Sequence, residues 1–314
     1  MNGALVIDKP PGMTSHDVVA AVRRLLRERS IGHLGTLDPA ATGVLPLLLG
    51  RLTRLARFFQ SRDKEYEGEI RFGFATTTYD AAGEPLGARS ERVPTLGEIE
   101  AELPRFRGRI AQVPPPFSAK KIEGRRAYQL ARAGKPVALP PAQVEIFELT
   151  PLGLEENRLR LHVRCSAGVY MRSLAHDLGE ALGAGAHLGP LRRTRVGEFD
   201  LAQAVPLDRL RELAASSAPD AAAAPADPAG AGADVAAAGA ASVLIPPQRL
   251  LPELPAVIAP PPAAARLLAG RDVNLPEFSR ALKVRVFTPE GELRAIAIRI
   301  AGSLFHPELV FPPE

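Results

Sequence analysis

Gly32-His33-Leu34-Gly35-Thr36-Leu37-Asp38-Pro39-Ala40-Ala41-Thr42-Gly43, followed at once by Val44-Leu45-Pro46-Leu47-Leu48-Leu49, sets a glycine-punctuated loop against a short apolar run. Glycine reaches backbone angles closed to other residues and lets a ligand approach the main chain. Asp38 stands before Pro39, and the residue before a proline is pushed toward extended backbone. Its carboxylate is therefore expected to project from the loop. The competing local reading is a plain Asp-Pro turn whose side chain bonds its own backbone. No Gly-Lys-Ser/Thr closes the loop, so it is not a Walker phosphate loop. An aspartic hydrolase would need a second such motif to supply a paired carboxylate, and the sequence has none.

Outward from this loop the pattern alternates between helix and strand. Leu5-Val6-Ile7 reads as a short buried strand ending in the turn Asp8-Lys9-Pro10-Pro11-Gly12. Thr14 and Asp17 form a capping-box pattern ahead of Val18, Val19, Val22, Leu25 and Leu26, predicting an amphipathic helix with Arg23, Arg24 and Arg27 off its apolar stripe. Beyond the apolar run, Arg51, Arg54 and Arg57 interleave with Leu52, Leu55, Phe58 and Phe59, which predicts a helix with one basic and one buried side. From Tyr66 the period becomes two: Tyr66, Gly68, Ile70, Phe72 and Phe74 share one face, Glu65, Glu67, Glu69 and Arg71 the other. A second strand alternates Leu159, Leu161, Val163 and Cys165 with Arg158, Arg160, His162 and Arg164, and an Ala/Leu-rich helix starts near Ser173. This order predicts an α+β class, with a mixed, largely antiparallel central sheet flanked by helices. Between about Ser216 and Ser242 the chain is almost wholly Ala, Pro, Gly and Asp. It has too few large apolar groups to offset ordering entropy, and reads as a flexible linker or surface insertion. Leu282-Val284-Val286, a turn at Pro289-Glu290-Gly291 and Ala295 to Ile300 then predict a hairpin in a small β-rich C-terminal domain.

The 314 residues carry 46% hydrophobic and 24% charged residues, ordinary for a globular chain. Net charge is only +4 but the pI is about 9.4, and the basic residues are mostly arginine, which suits a polyanionic partner; compositional drift toward Arg and Ala explains the charge equally well. A single cysteine, Cys165, excludes an internal disulfide framework and a CxxC motif, and reads as a buried, inert thiol. The six histidines are scattered without metal-ligand spacing. No signal peptide or membrane-spanning run is apparent, so a cytoplasmic protein is expected.

Five blocks recur in the order of a known family. Leu5 to Ser15, the loop Gly32 to Gly50, Lys64-Glu65-Tyr66, Ser166-Ala167-Gly168-Val169-Tyr170-Met171-Arg172-Ser173-Leu174, and Gly185-Ala186-His187-Leu188 with Leu191-Arg192-Arg193-Thr194 together resemble the TruB family of bacterial tRNA pseudouridine synthases. The resemblance implies a catalytic pseudouridine synthase domain over 1–213, with an RNA-gripping insertion at about 113–140. It further implies the linker at 214–243 and a PUA-like RNA-binding β-barrel at 244–314. By resemblance the activity is isomerisation of a uridine in the T stem-loop of tRNA, at position 55, after the base is flipped out.

In that reading Asp38 is the nucleophile, and Arg172 pairs with it to keep the carboxylate ionised and oriented. A cation is unfavourable at a helix start, so Arg172 needs a partner in any case. Tyr66 would stack on the uracil and is a candidate proton acceptor, while Tyr170 and Leu191 would line the pocket. Lys9 would support Tyr66 and the sheet end, and His33 would fill the space left by the flipped nucleotide. Lys121, in the basic stretch after Pro114-Pro115-Pro116, would grip phosphates. Phe117 stands where the family usually has Tyr, at the cost of a hydroxyl. Neither metal nor organic cofactor is expected, nor a membrane or protein partner, and a monomer is assumed. Two alternatives remain open: a non-catalytic tRNA-binding or folding helper, and a guide-RNA-dependent synthase. Against the second stand the absence of long Lys-rich tails and the short C-terminal domain.

Overall fold

The structure, a computed structural model, describes residues 1–118, 121–122, 125–126, 139–216, 239, 241–278 and 280–313, for 121–122 and 125–126 as backbone alone. In chain order, β1 (Gly3–Lys9), α1 (Ser15–Leu26), β2 (Ile31–His33), β3 (Thr42–Leu49), α2 (Ala56–Phe59) and β4 (Lys64–Phe72) come first. They are followed by β5 (Ala75–Thr76), β6 (Pro85–Leu86), α3 (Leu96–Glu102), β7 (Gly108–Gln112), β8 (Lys121–Ile122) and β9 (Arg125–Arg126). Next are β10 (Ala142–Glu155), β11 (Arg158–Cys165), α4 (Met171–Ala181), β12 (Ala186–Val196), β13 (Phe199–Asp200), β14 (Val205–Pro206) and α5 (Leu207–Ser216). The last part holds β15 (Ala256–Ile258), α6 (Pro261–Leu268), β16 (Val273–Asn274), β17 (Lys283–Phe287), β18 (Leu293–Ala301) and β19 (Leu304–Val310).

One large sheet runs β14-β1-β3-β12-β4-β11-β10-β7, with β2 added to β3 and β13 to β12. Only β1/β14 and β12/β3 pair parallel, so the sheet is mixed and largely antiparallel, as the sequence predicts. The α+β class holds. The C-terminal strands form a second sheet, β15-β17-β18-β19-β16, an open curled half-barrel of the PUA-like kind.

Helix α1 begins where its cap dictates. The Thr14 hydroxyl accepts from the Asp17 amide at 3.0 Å, and the Asp17 carboxylate accepts from the Thr14 amide at 2.8 Å. Val18, Val22 and Leu26 then face the same core as Leu5, Ile7, Leu45 and Leu47. Strands β1 and β3 are apolar at nearly every position because both faces of this part of the sheet are covered. The intervening residues Ala4, Val6, Val44 and Leu48 pack on the opposite side, with Phe59, Phe199, and Phe287, Ile296, Leu309 and Phe311 of the C-terminal part.

Two local expectations are corrected. The arginine-bearing segment is not one α-helix: Gly50–Leu55 is a 3-10 helix that leads into α2. Three residues per turn place Arg51 and Arg54 along one side, and Arg57 follows in α2. Part of that basic side is docked: Arg54 Nη1 donates to the Val310 carbonyl at 2.5 Å and Arg57 Nη2 to that of Glu308 at 3.0 Å. Phe74 also leaves the face of Tyr66, because β4 ends at Phe72 and Gly73, at φ +118°, turns the chain. Helix α5 continues through Ser216, and the rest of the Ala/Pro-rich stretch, 217–238 and 240, lies outside the described residues.

The shared second core predicts that Phe311→Ala, at a fully packed aromatic, lowers unfolding stability by about 3–5 kcal/mol. Urea denaturation should show the large sheet's transition moving with it. A C-terminal part that unfolded alone, leaving the other transition in place, would contradict this coupling.

Candidate active site

The loop between β2 and β3 is pinned on both sides of Asp38. Before it, the Ser15 hydroxyl accepts from the Leu37 amide at 2.8 Å and donates to the Leu37 carbonyl at 3.2 Å. After it, the Pro39 carbonyl accepts from Lys9 Nζ at 3.0 Å and from the Gly12 amide at 2.9 Å. At the end of the loop Gly43, at φ +98°, crosses so close to β12 that a Cβ would lie 2.2 Å from the Arg193 carbonyl oxygen. Only glycine fits there. The Ala41 amide donates to the Asp38 carbonyl at 3.1 Å, so an Asp-Pro turn exists, but it uses the backbone and leaves the carboxylate to project.

That carboxylate meets Arg172, the second residue of α4. Nε lies 2.9 Å from Asp38 Oδ2 and Nη2 3.5 Å from Oδ1. The Arg172 side chain is 9% exposed and that of Asp38 46%, so a nearly buried cation presents a half-open anion. Both terminal nitrogens also find carbonyls: Nη1 bonds that of Thr78 at 3.2 Å and Nη2 that of Phe117 at 3.0 Å, with Asp80 Oδ2 3.8 Å from Nε. The cation at the helix start, unfavourable alone, is thus compensated.

Beside this pair is a cavity of about 290 Å³ lined by Asp38, Tyr66, Tyr170, Arg172, Leu191 and Arg193 among others. Five of the residues expected from sequence meet in it: Asp38 from the β2–β3 loop, Tyr66 from β4, Tyr170 and Arg172 from the start of α4, and Leu191 from β12. Tyr66 arrives on β4 and is buried. Burial pushes its phenol up and so keeps it neutral, while the neighbouring Arg193 charge pulls the other way. Arg193 is itself fully buried on β12, donating to Val44 (2.8 Å), Gly35 (3.0 Å) and Thr36 (3.4 Å) carbonyls. Lys64, also on the wall, donates to the Arg62 carbonyl at 2.9 Å, and burial pushes its ammonium pKa down.

Three expected residues stand elsewhere. Lys9 is buried and does not bond Tyr66; its Nζ donates to the carbonyls of Met13 (2.6 Å), Pro10 (2.9 Å) and Pro39 (3.0 Å), bracing the Asp38 loop instead. His33 is half-buried on β2, outside the cavity wall, with its ring edge-on to His16 at 5.3 Å. Burial, then the neighbouring His16, push its imidazole pKa down. Lys121 lies on β8, paired with β9, but its side chain and most of the 113–140 insertion lie outside the described residues. Sequence reading missed the parts played by Ser15, Lys64 and Arg193. Arg193 stands between Arg192 and Arg195 in the same strand, so nothing in the local pattern marked it as the buried one. Cys165 is buried as expected, its thiol pushed up to about 12 by burial.

A larger groove of about 590 Å³, lined by Glu65, Glu148, His162, Arg164 and Arg195, holds the residues that alternate away from Tyr66. Acids and bases neutralise one another there, as in Arg164–Glu148 at 2.9 Å. It offers no converging catalytic pair. Among the described residues no group of His, Cys, Asp and Glu side chains is placed to hold a metal ion, and no helix is long and apolar enough to cross a membrane.

Comparison with known proteins gives a consistent answer. Residues 23–171 match the family described as TruB family pseudouridylate synthase (N terminal domain), and residues 172–228 match the tRNA pseudouridylate synthase B C-terminal domain. The tRNA pseudouridine synthase B of Solibacter usitatus (strain Ellin6076) is 46% identical, covering 99% of this chain and 100% of its own length. That of Geobacillus thermodenitrificans (strain NG80-2) is 39% identical over 95% of both chains. Among solved structures, a Cbf5-Nop10-Gar1 complex superposes with a TM-score of 0.71 at 26% identity, covering 99% of this chain and 85% of the other. With the Asp38–Arg172 pair seated in this fold and near full-length likeness to such relatives, the chain belongs to the TruB family of pseudouridylate synthases.

Proposed function

We propose that this chain isomerises a uridine in the T arm of tRNA, at position 55, to pseudouridine, with Asp38 as the nucleophilic carboxylate. The observation that carries the reading is the 2.9 Å contact between Asp38 and a nearly buried Arg172 beside a cavity walled by Tyr66. The relatives' shared name points to tRNA as substrate.

In the reaction the C1′–N1 bond breaks and a C1′–C5 bond forms, while C5 loses a proton and N1 gains one. No electrons change hands overall, so the reading calls for neither metal nor organic cofactor. The Asp38 carboxylate adds to the sugar or base, or assists formation of a glycal, while Arg172 holds it in place. Tyr66 offers a ring face to the uracil; a phenol kept neutral by burial suits stacking better than proton abstraction. Tyr170 and Leu191 confine the base. A uridine within a folded loop must leave its stack to reach this cavity, and His33, uncharged at neutral pH beside the loop, is suited to filling the gap. The basic insertion with Lys121, and the part of the chain at 244–314, would hold the RNA outside the cavity. We place the enzyme in the cytoplasm as a monomer that needs neither guide RNA nor protein partner.

Asp38→Asn should cut pseudouridine formation on an unmodified tRNA transcript on the order of 10⁴-fold, with tRNA affinity within about twofold. A variant that keeps wild-type turnover would refute the nucleophile. Arg172→Lys, which keeps charge but loses the planar fork, should lower the single-turnover rate by about 100-fold. tRNA affinity should fall by about tenfold or more between about 50 and 200 mM salt. A wild-type chain that binds the transcript without modifying it would favour the folding helper. Turnover that begins only when a guide RNA is added would favour the guided enzyme.

A further inference from the structure

Helix α4 carries Arg172 and, one turn later, His176, and residues four apart share a helical face. Arg172 grips the Thr78 carbonyl at 3.2 Å. His176 lies flat on the ring of the next residue, Tyr79, with centroids 3.8 Å and planes 5° apart. Two successive turns of one helix therefore hold two successive residues of the loop between β5 and β6.

Tyr79 sits there at φ +63°, in left-handed backbone that favours glycine or asparagine and strains an aromatic residue. The backbone of this turn does not call for a tyrosine; its ring does. The partner ring is equally committed to the stack. His176 Nδ1 is buried and takes no hydrogen bond among the described residues, and burial pushes the imidazole pKa down. A neutral ring without a polar anchor on that nitrogen is held by ring contact. The loop is tied in turn to the cavity: the Leu188 amide donates to the Tyr79 carbonyl at 2.9 Å, the Ala81 amide to the Leu188 carbonyl at 3.1 Å, and Leu188 is on the cavity wall.

We propose that the Tyr79–His176 stack is a positioning clamp that sets the Thr78 carbonyl against Arg172 and so fixes the angle at which the guanidinium holds Asp38. This inference rests on the function proposed above and deepens it. Neither ring lines the cavity, so both are positioning residues that act through Arg172.

The test is single-turnover pseudouridine formation and tRNA affinity, measured side by side on an unmodified transcript, with thermal unfolding as a check. Tyr79→Ala and His176→Ala should each lower the rate by about tenfold, leave affinity within about twofold, and in combination do no more than either alone. Tyr79→Phe and His176→Phe, which keep the stacked rings, should stay within about twofold of wild type. Alanine variants at wild-type rate would overturn the clamp, as would phenylalanine variants as slow as the alanine ones. So would a loss seen only in tRNA affinity, or alanine variants that fail to fold, since the stack would then be merely structural. A wild-type chain that forms no pseudouridine would instead bring down the function, and the clamp with it.

Discussion

Around Asp38 the fold gathers more positive charge than it can neutralise with side chains. Lys9 and Arg193 are fully buried and Arg172 nearly so, yet their hydrogen-bond partners are mostly backbone carbonyls: Pro10, Met13 and Pro39 for Lys9; Gly35, Thr36 and Val44 for Arg193; Thr78 and Phe117 for Arg172. Buried cations must be hydrogen-bonded, and carbonyl dipoles do that without supplying a full countercharge. The carboxylate at the cavity mouth supplies one. Two of the cations also shape its loop, since Lys9 grips the carbonyl of Pro39 and Arg193 those of Gly35 and Thr36. A change at any of these cations therefore alters both the electrostatics of the carboxylate and the geometry that presents it.

That loop is only as rigid as its two ends. One end runs into β3, whose other face is covered by Phe287, Ile296, Leu309 and Phe311, so the C-terminal part is packed into the wall that carries the site. Arg54 of the 3-10 segment and Arg57 of α2 reinforce this seam by bonding the β19 carbonyls of Val310 and Glu308. Losing that cover would expose Val6, Val44 and Leu48, on the far side of the sheet from the Asp38 cavity. RNA held by the C-terminal part would thus bear on the same layer that positions Asp38.

Local patterns carried much of the architecture. The capping box at Thr14 and Asp17, the alternation through Tyr66 and the hairpin about Gly291 were all legible, because each depends on neighbours within a few residues. Asp38 and Arg172 were recognisable from the blocks around them, and a helix-start arginine in want of a partner was a physical hint toward their pairing. The 3-10 segment, the departure of Phe74 and the true partners of Lys9 were not legible. The 3-10 segment and the partners of Lys9 turn on contacts elsewhere, with β19 and with the carbonyl of Pro39, thirty residues on. The departure of Phe74 turns on the backbone angle its neighbour Gly73 adopts, which alternation alone does not reveal.

By itself the sequence determined which segments become helix or strand, which faces are apolar, and that one loop carries an aspartate unable to wind into a helix. Hydrophobic period, caps and proline sterics act over single turns, so those outcomes are written locally. Only the tertiary structure decided that Asp38 would face Arg172, 134 residues away, that Arg193 would be buried beneath the loop, and that His176 would stack on Tyr79. Those partners are chosen by how strands β3, β12 and β4 lie side by side, and a pairing across the sheet leaves no periodic mark in either of the segments it joins.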